Sequence, residues 1–223
     1  MSNKKSLDEL ANYYNTDKGT AYQDVSRHGY APIYDEYLNK WRQLPIRMLE
    51  IGVCMEGTEG GHSINMWNDY FEKAHIYAFD IIDMSESPSV TENDRVSFFK
   101  GDQSKREDFN EMYKTFNNKE FNFILEDGSH QHKHQMISLG HLFKYVKSGG
   151  YYILEDITQQ GRKVCCIRND ETYDTLIEFQ TTNELNNDHL FPEEKQYLKD
   201  NIKNIEFHLD VQNAYYTAII TKK

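Results

Sequence analysis

The most restrictive feature of this sequence is a series of short apolar runs, each stopping at an acidic or loop residue. The first, residues 47–53, leads into a glycine-dotted stretch ending at Gly61 and then a helical pattern through Ile64, Trp67 and Phe71. Strand, glycine turn and helix in that order predict an α/β nucleotide-type fold. Residues 75–80, 96–100, 121–126 and 151–156 read as further strands, with a helix over 138–146 closed by Gly149 and Gly150. The tail predicts a helix over 192–201 and strands over 205–209 and 215–221, paired as an antiparallel hairpin across a turn at 210–214.

Upstream, Leu7, Leu10 and Ala11, then Tyr30, Ile33, Tyr34, Tyr37, Leu38 and Trp41, predict helices around a polar loop at 15–29. The expected architecture is α/β: a doubly wound, mostly parallel seven-stranded sheet with a C-terminal antiparallel hairpin and an N-terminal helical cap. Residues 1–44 form the cap and residues 45–223 the main domain. Ligands of such a sheet bind at the carboxyl ends of its strands.

Composition narrows the partners. Among 223 residues, 25 Lys and Arg face 36 Asp and Glu, a formal net charge of −11. That field repels phosphate backbones and anionic head groups, so nucleic acid is an unfavourable substrate. Apolar runs fall far short of the roughly 20 residues a membrane span requires. The opening Met-Ser-Asn-Lys-Lys runs into Leu-Asp-Glu-Leu, not a signal-peptide apolar stretch, so a cytoplasmic location is expected. Cys54, Cys165 and Cys166 match neither a disulfide framework nor a Cys-x-x-Cys metal pair and read as reduced thiols.

The candidate chemistry sits at the strand ends. Gly52 occupies the tight turn after the first strand, but Cys54 stands where a dinucleotide site needs its second glycine, which disfavours a pyrophosphate cradle and a nicotinamide dehydrogenase. Asp80 is placed to accept from two ribose hydroxyls or to cap the next segment, and Asp102 to read an adenine edge. Glu126-Asp127 and Glu155-Asp156 leave neighbouring strands. Four converging carboxylates raise one another's pKa unless a cation sits among them, and Mg2+ suits a few such oxygens plus water and substrate; helix capping is the alternative role for Asp127 and Asp156. His130, three residues after Asp127, has the ordinary pKa of a neutral-pH general base. His132 and His134 lack a nearby Cys and a shared helical face, and read as surface or substrate-facing rather than as a zinc site.

Several ordered motifs together carry a resemblance. Asn15-Thr-Asp-Lys-Gly19 with His28-Gly-Tyr30, Leu49-Glu-Ile-Gly-Val53, Gly101-Asp-Gln-Ser104, Glu126-Asp-Gly-Ser-His130 and Gly149-Gly-Tyr-Tyr-Ile-Leu-Glu-Asp156 resemble the metal-dependent macrolide-sugar O-methyltransferases of the mycinamicin 2''-O type, within the class I S-adenosylmethionine-dependent methyltransferases. The match runs over residues 15–156; the C-terminal third matches no motif of the group.

The resemblance implies Mg2+ held by Asp127, Glu155 and Asp156, with His130 as base beside Asp127. It places Glu50, Gly52, Asp80, Asp102, Gln103 and Glu126 around S-adenosylmethionine, and Tyr30 and Thr16 in the cap that closes over the cofactor. Residues 53–62 are longer than the compact glycine loop of the wider family, and the large extra N-terminal domain of the mycinamicin-type enzymes is not expected here. The implied function is Mg2+-dependent methyl transfer to a hydroxyl of a sugar or glycosylated small molecule, in capsule, glycolipid or secondary-metabolite synthesis. Acceptor choice falls to the cap and an expected loop over 159–188. Such an enzyme is compatible with a homo-oligomer. The alternatives are N-methylation of an amine or phosphoramidate-like precursor, and a non-catalytic cofactor-binding assembly subunit.

Overall fold

The computed structural model describes residues 4–21, 28–54, 59–158, 170–211 and 215–223. Its centre is a seven-stranded sheet in the order β3-β2-β1-β4-β5-β7-β6. The strands are β1 (Arg47–Ile51), β2 (His75–Asp80), β3 (Val96–Lys100), β4 (Phe121–Glu126), β5 (Val146–Ile157), β6 (Ile202–Leu209) and β7 (Tyr216–Lys222). Strands β1 to β5 pair in parallel; β7 runs antiparallel to both β5 and β6. The expected mostly parallel sheet with its C-terminal hairpin is therefore present.

The strand order reverses between β1 and β4, which makes their carboxyl ends the crevice of the fold. Asp127 N donates to Ile51 O across that crevice at 2.8 Å. Gly52 adopts φ +84°, and a Cβ there would lie 2.0 Å from the Asp127 carbonyl oxygen. Only glycine permits this approach of the two strand ends.

Helices cover both faces. On one side α1 (Leu7–Tyr13), α2 (Ala31–Leu38) and α3 (His62–Tyr70) bury Leu10, Tyr34 and Trp67 against Met48, Phe123 and Ile153. On the other, α5 (Arg106–Thr115), α6 (His132–Leu142), α7 (Asp170–Thr182) and α8 (Pro192–Asn201) pack Phe109, Leu139, Leu176 and Leu198 against Leu49, Ile124 and Leu154. The one-turn α4 (Pro88–Thr91) precedes β3. Because the central strands are buried on both faces, they read as continuous apolar runs. Ser6 starts α1 with a reciprocal cap, accepting from Glu9 N while the Glu9 side chain accepts from Ser6 N.

Three expectations need correction. Helix α6 begins at His132, six residues before the expected start, because residues Gln135 to Leu142 are all buried and so show no amphipathic period. Strand β5 already begins at Val146 and passes through the glycine pair, with Gly149 at φ +72° and a register shift in its pairing with β4. The span 159–188 is not simply a loop: α7 lies within it, anchored by Leu176 and Phe179. Helix α5 follows the same logic, with only Phe109 and Met112 buried in an otherwise polar segment.

Candidate active site

The carboxyl ends of β4 and β5 bring Asp127, Glu155 and Asp156 together, and a lysine enters from the cap between the first two. Lys18 Nζ donates to Asp127 Oδ2 at 2.5 Å and to Glu155 Oε2 at 3.0 Å. Tyr34 on α2 donates to the other Glu155 oxygen at 2.6 Å, and Tyr30 donates to Asp156 Oδ1 at 3.1 Å. Two backbone clips tie the lysine's own segment to the start of α2: His28 N and Gly29 N donate to Asp17 O, and Ala31 N donates to Lys18 O.

His130 faces the same cluster, its Nε2 4.0 Å from Asp127 Oδ1 and 3.8 Å from Asp156 Oδ2. His130 and Asp156 have φ +54° and +56°, a left-handed backbone that non-glycine residues adopt at a cost of order 1–3 kcal/mol. Such strain persists where the surroundings over-determine the geometry, as they do at this convergence.

Electrostatics follow from burial and neighbours. Burial pushes the Asp127 carboxyl up, but Lys18 and His130 outweigh it and hold its pKa below the ordinary range. Glu155 is driven well above its ordinary value by burial and by Asp127, with Lys18 opposing. Lys18 stays protonated: burial opposes its charge, but Asp127, Glu155 and Asp17 raise it well above the usual lysine value.

The donor set fits a divalent cation. One ligand atom from each of Asp127, His130 and Asp156 lies within 4.8 Å of the others. An ion with Mg2+-like bonds spans opposed donors about 4.2 Å apart, so small adjustments let Asp127 and Asp156 share one ion while His130 stands beside it with its Nε2 free to act as a base. Glu155, expected as a ligand from the resemblance, stands beside the trio with both oxygens accepting from Lys18 and Tyr34.

The expected cofactor residues line the neighbouring strand ends. Asp80 Oδ2 accepts from Val53 N and Cys54 N at 2.7 and 2.9 Å, and Oδ1 from Ile82 N, so this carboxylate shapes the turn after β1. Gln103 donates to Glu126 Oε1 and accepts from Ser129 N at 3.0 Å, tying β4 to the loop that carries His130. Asp102 accepts from Ser104 N and pairs with Lys105. Thr16 turns toward its own segment, accepting from Lys18 N. Glu50 and Glu126 are fully buried, burial lifts each to about 7, and each keeps one oxygen without a hydrogen-bond partner among the described residues. Two such acceptors, buried and unsatisfied, suit a ligand that brings donors.

Neither expected surface histidine is exposed. His132 bonds Thr172 and Asn187, and His134 bonds Ser129. Two open cavities of about 480 and 550 Å3 lie away from the carboxylates, beside α5 and beside α7. The sequence reading assigned no role to Lys18, His28, Tyr34 or Asp210. Lys18 and His28 fall inside the motifs that carry the resemblance; Asp210 has no such signal.

No family model matches the chain. It is 32% identical over 158 residues to the mycinamicin VI 2''-O-methyltransferase of Micromonospora griseorubida, and 33% identical over 158 residues to the demethylmacrocin O-methyltransferase of Streptomyces fradiae. Each match covers 70% of this chain and 37% of the relative, so the matched residues span well under half the length of these curated relatives. A solved structure of the mycinamycin-pathway methyltransferase MycE, in complex with Mg and SAH, superposes with a TM-score of 0.74 at 27% identity, covering 99% of this chain and 55% of that one. Its fold is that of the class I methyltransferases. Over the matched residues it is a homologue of the macrolide-sugar O-methyltransferases, as its motifs implied. Further relatives carry names for methylation of rhamnosyl-tetracenomycin and olivosyl-oleandolide; the capsule and glycolipid expectation has no counterpart among these names.

Proposed function

We propose that this chain transfers the sulfonium methyl group of S-adenosylmethionine to a sugar hydroxyl of a glycosylated small molecule, with Mg2+ assistance. The observation that carries the reading is the convergence of Asp127, His130 and Asp156 at the β4 and β5 ends. The names of its relatives favour a glycosylated polyketide as acceptor.

Asp127 and Asp156 are the oxygen ligands the site offers a divalent ion, with Glu155 next to them. Held there, a divalent ion would supply Lewis-acid chemistry, polarising the acceptor hydroxyl and making its proton easier to remove. Lys18 and Tyr34 hold Glu155, and Tyr30 holds Asp156, so the carboxylates keep their places when acceptor arrives. His130 Nε2 faces the cluster and takes the hydroxyl proton. The acceptor oxygen then forms its bond to the methyl carbon as the carbon–sulfur bond breaks, and the bonding pair returns to sulfur. The unsatisfied Glu50 and Glu126 oxygens and the turn shaped by Asp80 support a cofactor berth along β1, β2 and β4. A cytoplasmic setting is part of the proposal. No helix among the described residues is long and apolar enough to cross a membrane.

The test is methyl transfer from labelled S-adenosylmethionine to a panel of sugar, glycoside and amine acceptors, with Mg2+ and with EDTA. Asp127→Asn and Asp156→Asn should abolish Mg2+-stimulated turnover and leave the fold intact. Full activity in EDTA would remove the metal role; transfer to amines alone would replace the hydroxyl acceptor.

A further inference from the structure

A second imidazole besides His130 reaches the carboxylate cluster. His28 Nε2 lies 3.5 Å from Asp156 Oδ2, and its Nδ1 lies 3.2 Å from Asp210 Oδ2. The Asp210 side chain is fully buried in the turn after β6, in the part of the chain that shares no motif with the family. The ring stacks on Tyr30 with centroids 5.3 Å apart and meets Tyr215 edge-on at 5.0 Å. Val211 N donates to His28 O at 2.9 Å, and Gly29, at φ +66°, lets Val211 pack where a Cβ would collide with it. Backbone, ring faces and Nδ1 are thus all fixed, and Nε2 is left directed at Asp156.

We infer that His28, oriented by Asp210, is a positioning residue that fixes the Asp156 carboxylate for divalent-cation binding. A carboxylate on a left-handed residue needs partners to set its rotamer: Tyr30 OH donates to Asp156 Oδ1, and the His28 ring, held at Nδ1 by Asp210, brings Nε2 into ion-pair distance of Oδ2. Outer donors of this kind tune affinity by roughly 10–100-fold at metal sites. The arrangement assigns the C-terminal hairpin a part in the site: it delivers Asp210 behind His28. The inference rests on the metal reading above.

The test is titration of Mn2+ into the full chain without acceptor, followed by free-Mn2+ electron paramagnetic resonance or calorimetry. His28→Ala should weaken Mn2+ binding about tenfold or more. His28→Gln, which keeps a donor near the Nε2 position, should recover most of that loss, and Asp210→Asn should fall between wild type and His28→Ala. Thermal unfolding of each variant separates lost affinity from lost fold, and Asp210→Asn serves if His28→Ala does not fold. Mn2+ affinity in His28→Ala within twofold of wild type overturns the positioning role alone, as does a glutamine variant as weak as alanine with Asp210→Asn unchanged. A wild type that binds no Mn2+ overturns the metal reading and this inference with it.

Discussion

Lys18 Nζ donates to Glu155 Oε2 at 3.0 Å in a site where both side chains are almost completely buried. The lysine is the cation that the protein itself supplies to its carboxylates, and it also holds Asp127. Breaking a buried pair of this kind by removing one partner costs about 3–5 kcal/mol, because the remaining charge is left uncompensated. Lys18→Met should therefore lower the thermal midpoint in metal-free buffer. Saturating Mg2+ should restore more of the midpoint in Lys18→Met than it adds to wild type, since an ion that binds only the folded state offsets the exposed repulsion. Equal gains in both proteins would count against a divalent site at these carboxylates.

His130→Ala should lower the rate of methyl transfer by roughly 10²–10⁴-fold, the range for loss of a positioned general base. Cofactor affinity should change much less, because the imidazole faces Asp127 and Asp156 and not the Glu50 and Asp80 turn. Single-turnover rates with labelled donor, set beside the dissociation constant for S-adenosylhomocysteine, separate the two effects. An unchanged rate at saturating donor would assign proton removal to another group.

How much of this was legible beforehand depended on how locally each feature is encoded. Strands β1, β2 and β4 are read easily because burial on both faces makes them largely apolar runs such as Phe123 to Leu125. Helix α6 is buried all round and lost its period, while α5 and α7 show too few apolar anchors to stand out among polar residues. At the site, Asp127 and Asp156 could be singled out because each completes an acidic pair at the end of an apolar run, and His130 because it stands three residues after Asp127. Lys18 lies 109 residues from Asp127 and 137 from Glu155, and His28 lies 182 residues from Asp210. Nothing in the local spacing of such pairs reports their contact; only the way the cap and hairpin close over the sheet creates it.

Acid sensitivity should concentrate at Glu194. Arg106 grips this carboxylate through Nε at 2.7 Å and Nη2 at 2.6 Å, and Phe191 N donates at 2.9 Å. Burial pushes its pKa up, but bonds from His141, Arg106 and the Phe191 amide prevail and lower it from 4.5 to about 2. A depressed carboxylate contributes stability that is complete above the unfolded value and is lost as pH falls through the folded one. The window is therefore about 4.5 down to about 2. The full contribution is about 3 kcal/mol from the size of the shift. Urea unfolding of wild type and Glu194→Gln across pH 6 to 2.5 should show a gap that narrows as pH falls through this range. A gap of constant size would place its origin in packing and not in the charge.

Lys222 closes the far end of the sheet. Its buried ammonium donates to the carbonyls of Val146 at 2.6 Å, Lys144 at 3.0 Å and Phe143 at 3.4 Å, and lies over the Tyr197 ring, 5.2 Å from its centroid. Those carbonyls belong to the turn between α6 and β5, where the helix has ended and its last acceptors need partners. Lys222→Met preserves most of the apolar stem and removes only the charged donor. Each charge-assisted bond contributes about 1.5–3 kcal/mol and the orphaned carbonyls carry their own desolvation cost, so a loss of roughly 3 kcal/mol is expected with partial rehydration. Chemical denaturation should register it as a lower midpoint with an unchanged slope, and the Mn2+ dissociation constant should stay at the wild-type value because the turn is remote from Asp127. A stability change below about 0.5 kcal/mol, the usual scale of a neutral surface substitution, would show that water replaces the ammonium without penalty.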